Sequence, residues 1–163
     1  MPRQTLITLL LLTLGSISLL GQNGPEKSPE KGATVHATGP FDVKIAAQDD
    51  KLSDGISRML LDKQYHGDLE GSSKGQMLAT GSAKSSGVYV AIETFTGTLQ
   101  GKTGGFALHH TGIMTKGGPS LTISVVPDSG TGQLSGISGK MTINIAPDGK
   151  HSYDFEYSLP KTD

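Results

Sequence analysis

The chain has 163 residues, with 14 lysines and arginines against 15 aspartates and glutamates, 23 glycines, and neither cysteine nor tryptophan. This near-neutral balance, without a basic run, argues against nucleic acid or an anionic membrane surface as a partner. The lack of cysteine excludes disulfides and thioether-linked lipid anchors, so stability has to come from hydrogen-bonded sheet and core packing.

The first 21 residues have the pattern of a signal peptide. A positively charged start precedes an apolar run at residues 6–14, and small residues follow it. The apolar run is shorter than the ~20 residues that span a bilayer, which disfavours the alternative of an uncleaved anchor. Residues 22–32 are rich in proline and charge and are predicted to form a flexible spacer. The sequence thus predicts an exported protein, periplasmic or secreted, with no membrane contact after signal cleavage and a folded domain at residues 33–160.

Short alternating segments separated by glycine-rich turns fill the rest of the chain. Alternation of apolar and polar residues is typical of half-buried strands, and glycines inside such segments mark the bends of a small barrel. We therefore predict an all-β fold, an eight-stranded antiparallel closed barrel, with a two-sheet sandwich as the alternative. The predicted strands cover residues 34–45, 57–69, 75–83, 88–99, 106–114, 121–126, 141–145 and 153–159.

The hairpin of residues 88–114 carries the carboxylate with the clearest chemical potential. If Gln100 opposes Thr103 at its turn, Glu93 lies directly across the strand pair from His110. A carboxylate and an imidazole on one apolar face perturb each other's pKa values and are suited to general acid–base catalysis. Glu93 and His110 are therefore the candidate catalytic residues.

Two alternatives to this pairing stay open. A bulge in the turn would bring His109 onto the face in place of His110. Glu93 is otherwise a structural carboxylate, hydrogen-bonded within the barrel wall. The same register places Phe95 opposite Leu108 on the inward face.

The sequence predicts neither a metal site nor a cofactor. His109 and His110 point to opposite faces of one strand. The glycine-rich run at residues 97–103 has three residues between its glycines where a phosphate loop needs four, and it opens a strand rather than a helix. The remaining histidines lack the spacing of zinc ligands: His36, His66 and His151.

Four runs of the chain carry a family pattern: HATGPFDVK, YHGDLEG, IETFTGTLQGKTGGFALHHTG and SLTISVVPDSGTGQLSGISGK. In this order they resemble a bacterial family of uncharacterised domains, the domain of unknown function 3224, over residues 35–159. Members are similar in fold to allene oxide cyclase, so the resemblance implies an eight-stranded barrel with a central cavity; it does not imply cyclase activity. In the family the position of His109 is commonly glutamine while the HTG histidine is kept, which implies Glu93 with His110 rather than with His109.

The barrel interior is the predicted binding site. Larger aromatic residues often line the family's strand where this chain has Gln76, Leu78 and Thr80, which implies a roomier or more polar cavity. The stripe of Tyr153, Phe155 and Tyr157 is interpreted as core or, alternatively, as pocket wall with polar handles. The predicted ligand-binding residues are Phe95, Leu108, Gln76, Leu78, Ile123, Tyr153 and Phe155.

Three functions are compatible with these features. The first is an exported barrel that binds a small apolar molecule in its cavity. The second is a cofactor-independent isomerase or cyclase that uses Glu93 and His110 as acid and base. The third is a structural role, in which the barrel exterior pairs with copies of itself to form a homo-oligomer.

Overall fold

The computed structural model describes residues 32–49, 54–81, 86–115 and 118–161. The predicted signal peptide (residues 1–21) and the predicted spacer up to residue 31 lie outside these ranges. Within them, no helix is long and apolar enough to cross a membrane.

Nine antiparallel strands make up the fold in these ranges. They are β1 (Val35–Gln48), β2 (Ile56–Tyr65), β3 (Leu69–Gly81), β4 (Gly87–Leu99), β5 (Lys102–Thr115), β6 (Gly118–Val125), β7 (Thr131–Gly132), β8 (Ser138–Ile145) and β9 (His151–Ser158). Eight of them close into a barrel in the order β1-β2-β3-β4-β5-β6-β8-β9, with β9 paired back onto β1. The two-residue β7 lies beside β5. The prediction of an all-β, eight-stranded antiparallel closed barrel is confirmed, and its connections are those of an up-and-down barrel.

The turn between β2 and β3 corrects two predicted strand boundaries. The second strand ends at Tyr65, not at residue 69, and the third begins at Leu69, not at residue 75. Residues 66–68 form a tight turn that is held against β1, because the Asp68 carboxylate accepts a hydrogen bond of 2.8 Å from the Thr38 N–H. Gly67 has a positive φ of 95° in this turn, a conformation that favours glycine. The apolar alternation alone does not reveal such a turn.

One half of the barrel is filled by a stack of aromatic rings. The ring centroids of Phe95 and Phe106 are 5.1 Å apart, those of Phe106 and Phe155 are 5.4 Å apart, and those of Phe155 and Tyr157 are 5.4 Å apart. All four side chains are buried. Offset and tilted ring contacts add to the stabilisation from apolar burial, so this half is a packed core.

The connection between β6 and β8 closes the packed end. Its Leu134 and Ile137 are buried in the core cluster. The Ser129 hydroxyl accepts a hydrogen bond from the Ala107 N–H at 3.0 Å, and the Thr131 hydroxyl accepts one from the Gly105 N–H at 3.0 Å. The family run VVPDSGTGQL therefore has a structural role, because its hydroxyls satisfy backbone N–H groups of β5 that lie beyond the last residue pair of β5 with β6, Leu108 with Val125.

The opposite end of the barrel is less tightly closed. Strands β6 and β8 are paired at only one position in the described ranges, between Ser124 and Lys140. Beyond that pair the strands part, and Leu121 of β6 and Ile145 of β8 are 42% and 65% exposed. The barrel thus has a packed end and an open end.

Candidate functional site

Glu93 is the centre of a buried polar cluster in the middle of the barrel. It lies on the inward face of β4, and its neighbours come from three other strands. Lys63 on β2 and Glu93 on β4 are separated by β3, roughly 10 Å across two strand spacings. They meet because the inward positions of β3 between them are the small residues Ser73 and Gly75, paired with Lys63 and Glu93 respectively.

Both carboxylate oxygens of Glu93 are hydrogen-bonded. Oε1 accepts from Lys63 Nζ at 2.8 Å, from His110 Nε2 at 3.1 Å and from the Tyr65 hydroxyl at 3.2 Å. Oε2 accepts from the Ser73 hydroxyl at 2.8 Å. Since a carboxylate is an acceptor only, the His110 proton in this contact is on Nε2.

The surroundings of Glu93 keep it ionised. Burial by itself raises the pKa of this carboxyl, but the hydrogen bond from His110 and the charge and hydrogen bond of Lys63 outweigh burial and lower the pKa to about 2. Burial and the negative charge of Glu93 raise the pKa of both Tyr65 and Tyr89. At neutral pH the cluster is therefore a buried ion pair between Glu93 and Lys63, with neutral phenols beside it.

The hairpin register differs from the predicted one by two residues. Leu99 opposes Lys102, so Glu93 faces Leu108 and not His110, and Phe95 faces Phe106. The turn lies one residue earlier than expected because Gln100 and Gly101 take positive φ values of 46° and 82°, as a two-residue hairpin turn requires.

A shift of two residues leaves every side chain on the same face of the strand. The Glu93–His110 contact is therefore diagonal instead of direct. His110 is buried and His109 is exposed, so the alternative that a bulge brings His109 inward is wrong.

An apolar pocket of about 300 Å³ lies above the cluster in the open half of the barrel. Its walls are formed mainly by aliphatic and methionine side chains, among them Val43, Leu61, Met77, Met114, Leu121 and Ile143. Lys63, His110 and Tyr89 also line it, and Glu93 is covered by them. The volume is at the lower end of the range for small-molecule sites.

Two hydrogen-bonding groups of the cluster, one N–H of Lys63 and Nδ1 of His110, have no partner in the described part of the chain. Lys63 Nζ donates to Glu93 and, at 3.4 Å, to the Tyr65 hydroxyl, which leaves one of its three N–H groups unused. His110 uses only Nε2, so Nδ1 is unused. Both side chains are only 4% exposed. Buried polar atoms are normally satisfied, so an N–H donor and a ring nitrogen are available to a molecule in the pocket.

The structure places the predicted ligand-binding residues in two groups. Gln76 and Leu78 lie on the outer face of β3 and are exposed, so their assignment to the cavity is wrong; alternation along β3 turns Met77 inward instead. The others are inside the barrel but are packed in its core and do not line the pocket: Phe95, Leu108, Ile123, Tyr153 and Phe155.

The hydroxyl groups of Tyr153 and Tyr157 form hydrogen bonds at the packed end of the barrel. The Tyr153 hydroxyl accepts from the Leu69 N–H at 2.8 Å and donates to the His66 carbonyl at 3.0 Å. The Tyr157 hydroxyl donates to Gln100 Oε1 at 2.8 Å. These hydroxyls hydrogen-bond to turns at the packed end and do not line the pocket. The contacts of the stripe therefore agree with its interpretation as core and not with the pocket-wall alternative.

Three members of the cluster were not singled out from the sequence: Lys63, Tyr65 and Ser73. The signal for Lys63 is present, because it falls in the period-two apolar stripe of β2 between Leu61 and Tyr65. A lysine on an apolar strand face is almost never fully buried unless it is paired, so this position predicts a buried carboxylate partner.

The remaining histidines do not form a centre. His36 contacts Asp154 at 2.8 Å on the exterior, where this hydrogen bond raises its pKa, and His66 lies 3.4 Å from Glu70 and 3.7 Å from Asp42. Across the ranges that the structure describes, no group of three histidine, aspartate or glutamate side chains is arranged to hold a metal ion.

Comparisons with known proteins identify relatives of the barrel. The family model "Protein of unknown function (DUF3224)" matches residues 37–157. A crystal structure of a protein of unknown function from this family, from Shewanella oneidensis MR-1, is 41% identical in sequence, with a TM-score of 0.73. The match covers 80% of this chain and 100% of the Shewanella chain. No curated protein matches.

Proposed function

The chain belongs to the DUF3224 family of proteins of unknown function, and we propose that it is an exported protein that binds a small, largely apolar molecule in the open half of its barrel. The observation that carries this proposal is the pocket of about 300 Å³, which has apolar walls and ends on the buried side chains of Lys63 and His110. Apolar walls with a few convergent polar groups are typical of small-molecule sites.

The contrast between the two ends of the barrel supports a binding role. The packed end is filled by aromatic rings and closed by a connection, whereas at the mouth Ile45, Leu121 and Ile145 keep 42–65% of their surface exposed. Covering such apolar surface is favourable by roughly 25 cal/mol per Å². A ligand would provide that cover at the open end.

Export is part of the proposal, and it depends on the signal-peptide pattern of residues 1–21. The test is to express the full chain and to determine the N-terminus of the protein recovered outside the cytoplasm by mass spectrometry. Cleavage within residues 18–22 supports export. A full-length chain that stays in the cytoplasm contradicts it.

Probe binding with a matched pair of variants tests the pocket. An anilinonaphthalene sulfonate, which fluoresces in apolar surroundings, is titrated into wild type, Ile143→Trp and Leu78→Trp. Ile143 lines the pocket, whereas Leu78 is on the outer face of β3. We expect wild type and Leu78→Trp to bind equally and Ile143→Trp to bind at least about tenfold more weakly, because an indole fills space that the probe needs.

Each other outcome of this titration counts against the pocket. If no variant binds the probe, the proposal of a small-molecule site fails. If Leu78→Trp loses binding and Ile143→Trp keeps it, the probe is on the barrel exterior and the pocket is not the site. Far-UV circular dichroism of the two variants shows whether each is folded.

A second candidate function is a cofactor-independent isomerase that moves a proton on a bound molecule. The observation in its favour is the 3.1 Å hydrogen bond from His110 Nε2 to Glu93, which leaves Nδ1 of this pocket-lining residue without a hydrogen-bond partner in the described part of the chain. A carboxylate that orients an imidazole is a common arrangement for general base catalysis. Glu93 itself is saturated with donors, so in this function His110 is the base and Glu93 is a positioning residue.

Deuterium exchange distinguishes the isomerase from a simple binding protein. A small apolar ketone is incubated with the protein in deuterium oxide, and incorporation at the carbon next to the carbonyl is followed by mass spectrometry. The isomerase predicts incorporation well above that of buffer alone and its loss in His110→Gln. Exchange at the buffer rate with wild-type protein removes this candidate.

A further inference from the structure

We propose that the ligand of this pocket carries a single carboxylic acid group, which is bound between Lys63 and His110 and takes up one proton on binding. The proposal deepens the proposed small-molecule binding and rests on it. It concerns the polar floor of the pocket, where the geometry decides which head group fits beneath an apolar tail.

The two unused atoms of the floor define the head group. Lys63 offers an N–H donor, and the Nδ1 atom of His110 is an acceptor when the ring is neutral and a donor when the ring is protonated. Both side chains hydrogen-bond the same oxygen of Glu93, at 2.8 Å and 3.1 Å, and both line the pocket. A carboxyl group has two oxygens that engage two neighbouring sites of this kind at once.

Charge balance links this binding to a proton. Glu93 and Lys63 already neutralise each other, and Glu93 stays ionised because its pKa is about 2. A carboxylate added beside a neutral His110 would give this buried site a net negative charge, which is costly in a low-dielectric interior. One added proton on His110 Nδ1 removes that charge. The proton comes from solvent, and no covalent bond is formed or broken apart from that protonation.

The other groups that face His110 do not supply the proton. On β2 and β4, Lys63 and Glu93 are paired with each other as an ion pair. The phenols of Tyr65 on β2 and Tyr89 on β4 hold their protons, because burial and then the charge of Glu93 raise the pKa of both. On β9, His151 lines the same pocket. His151 is thus the titratable side chain that the experiment has to separate from His110.

Calorimetric titration with octanoate and octanol tests the proposal. The two molecules share one alkyl chain and differ in the head group. Each is titrated into the purified protein in two buffers with different ionisation enthalpies, which gives the number of protons taken up. In the pH range where NMR shows the free His110 to be neutral, we expect octanoate to take up about one proton and its affinity to fall about tenfold per pH unit, whereas octanol takes up none.

Two variants assign the proton to its residue. In His110→Gln the amide donates to Glu93 as Nε2 does but does not titrate, so octanoate affinity should fall at least about tenfold and lose its pH dependence. Octanol affinity should fall much less than octanoate affinity, and far-UV circular dichroism shows whether this variant is folded. His151→Gln should keep the proton uptake of wild type, whatever its effect on the octanoate affinity.

The possible failures are distinct. If octanol binds as tightly as octanoate, or if octanoate binds without a proton, the carboxylic acid proposal is overturned while the small-molecule pocket stands. If His151→Gln abolishes the proton uptake, the placement between Lys63 and His110 is overturned. If neither molecule binds and the naphthalene probe does not bind either, the proposed function itself fails.

Discussion

The replacement Glu93→Gln removes the charge around which the polar cluster is built. The amide keeps the size of the side chain and can still accept a hydrogen bond, so packing is nearly unchanged. The main effect falls on Lys63, which is 4% exposed and loses the carboxylate that its Nζ contacts at 2.8 Å. A buried charge without its partner is strongly destabilising, by about 3–5 kcal/mol.

The pKa of Glu93 gives a second value for the same interaction. It is lowered from 4.5 to about 2, and since a tenfold change in proton affinity corresponds to about 1.4 kcal/mol, ionisation of Glu93 contributes about 3 kcal/mol to folding. Because the folded pKa is the lower one, this contribution is complete above pH 4.5 and is lost as the pH falls towards about 2.

Urea unfolding followed by far-UV circular dichroism measures both effects. We expect Glu93→Gln to be less stable than wild type by about 3–5 kcal/mol near neutral pH, and its stability to change less than that of wild type in the acid range. The double variant Lys63→Met with Glu93→Gln is the control, because it leaves no unpaired charge and should recover most of the loss. If Glu93→Gln is within about 0.5 kcal/mol of wild type, as at an unimportant surface site, the buried ion pair is refuted.

Three further predictions concern the barrel itself, and each is measured as a free energy of unfolding. Phe155→Ala in the aromatic stack should cost about 3–5 kcal/mol, whereas Ile92→Ala, whose side chain is 63% exposed, should cost less than about 0.5 kcal/mol; equal costs would contradict the assignment of the packed end. In the wild type, the Leu69 N–H donates to the Tyr153 hydroxyl at 2.8 Å. Tyr153→Phe removes this acceptor and should lower the free energy of unfolding by about 1–3 kcal/mol. An unchanged free energy of unfolding would mean that this hydroxyl does not hold the turn. Gly75→Ala would place a methyl group against the carbonyl oxygen of Ile92 and 2.6 Å from Cβ of Glu93, and it should lower the free energy of unfolding by about 1–3 kcal/mol through overpacking. A variant as stable as wild type would show that this position has room for a side chain.

Local patterns in the sequence predict the barrel well, because strand alternation and turn glycines are set by neighbouring residues. The inward face of β4 and β5 was likewise predictable, since an error of two residues in register keeps Glu93 and His110 on one face. The two-residue error itself arose because Gln100 takes a positive φ of 46° in the turn, and non-glycine residues adopt this conformation only rarely.

The site was harder to predict than the fold because it depends on contacts across the barrel. Lys63 reaches Glu93 over a strand whose Ser73 and Gly75 are small, and sequence spacing does not show which residues lie between two strands. Gln76 and Leu78 were assigned from a family comparison of strand composition, which does not determine the direction of side chains. The division into a packed and an open end depends on the residues 126–137 that cover one end, and no periodic pattern marks that role.

The most direct test of the binding site is NMR of the methionine methyl groups during titration with octanoate. Met77 and Met114 line the pocket, whereas Met141 is buried in the core cluster. If a small molecule occupies the open half of the barrel, the methyl signals of Met77 and Met114 should shift to saturation and that of Met141 should stay in place. Saturable shifts confined to Met141, or no shifts at any methyl group, would contradict the account.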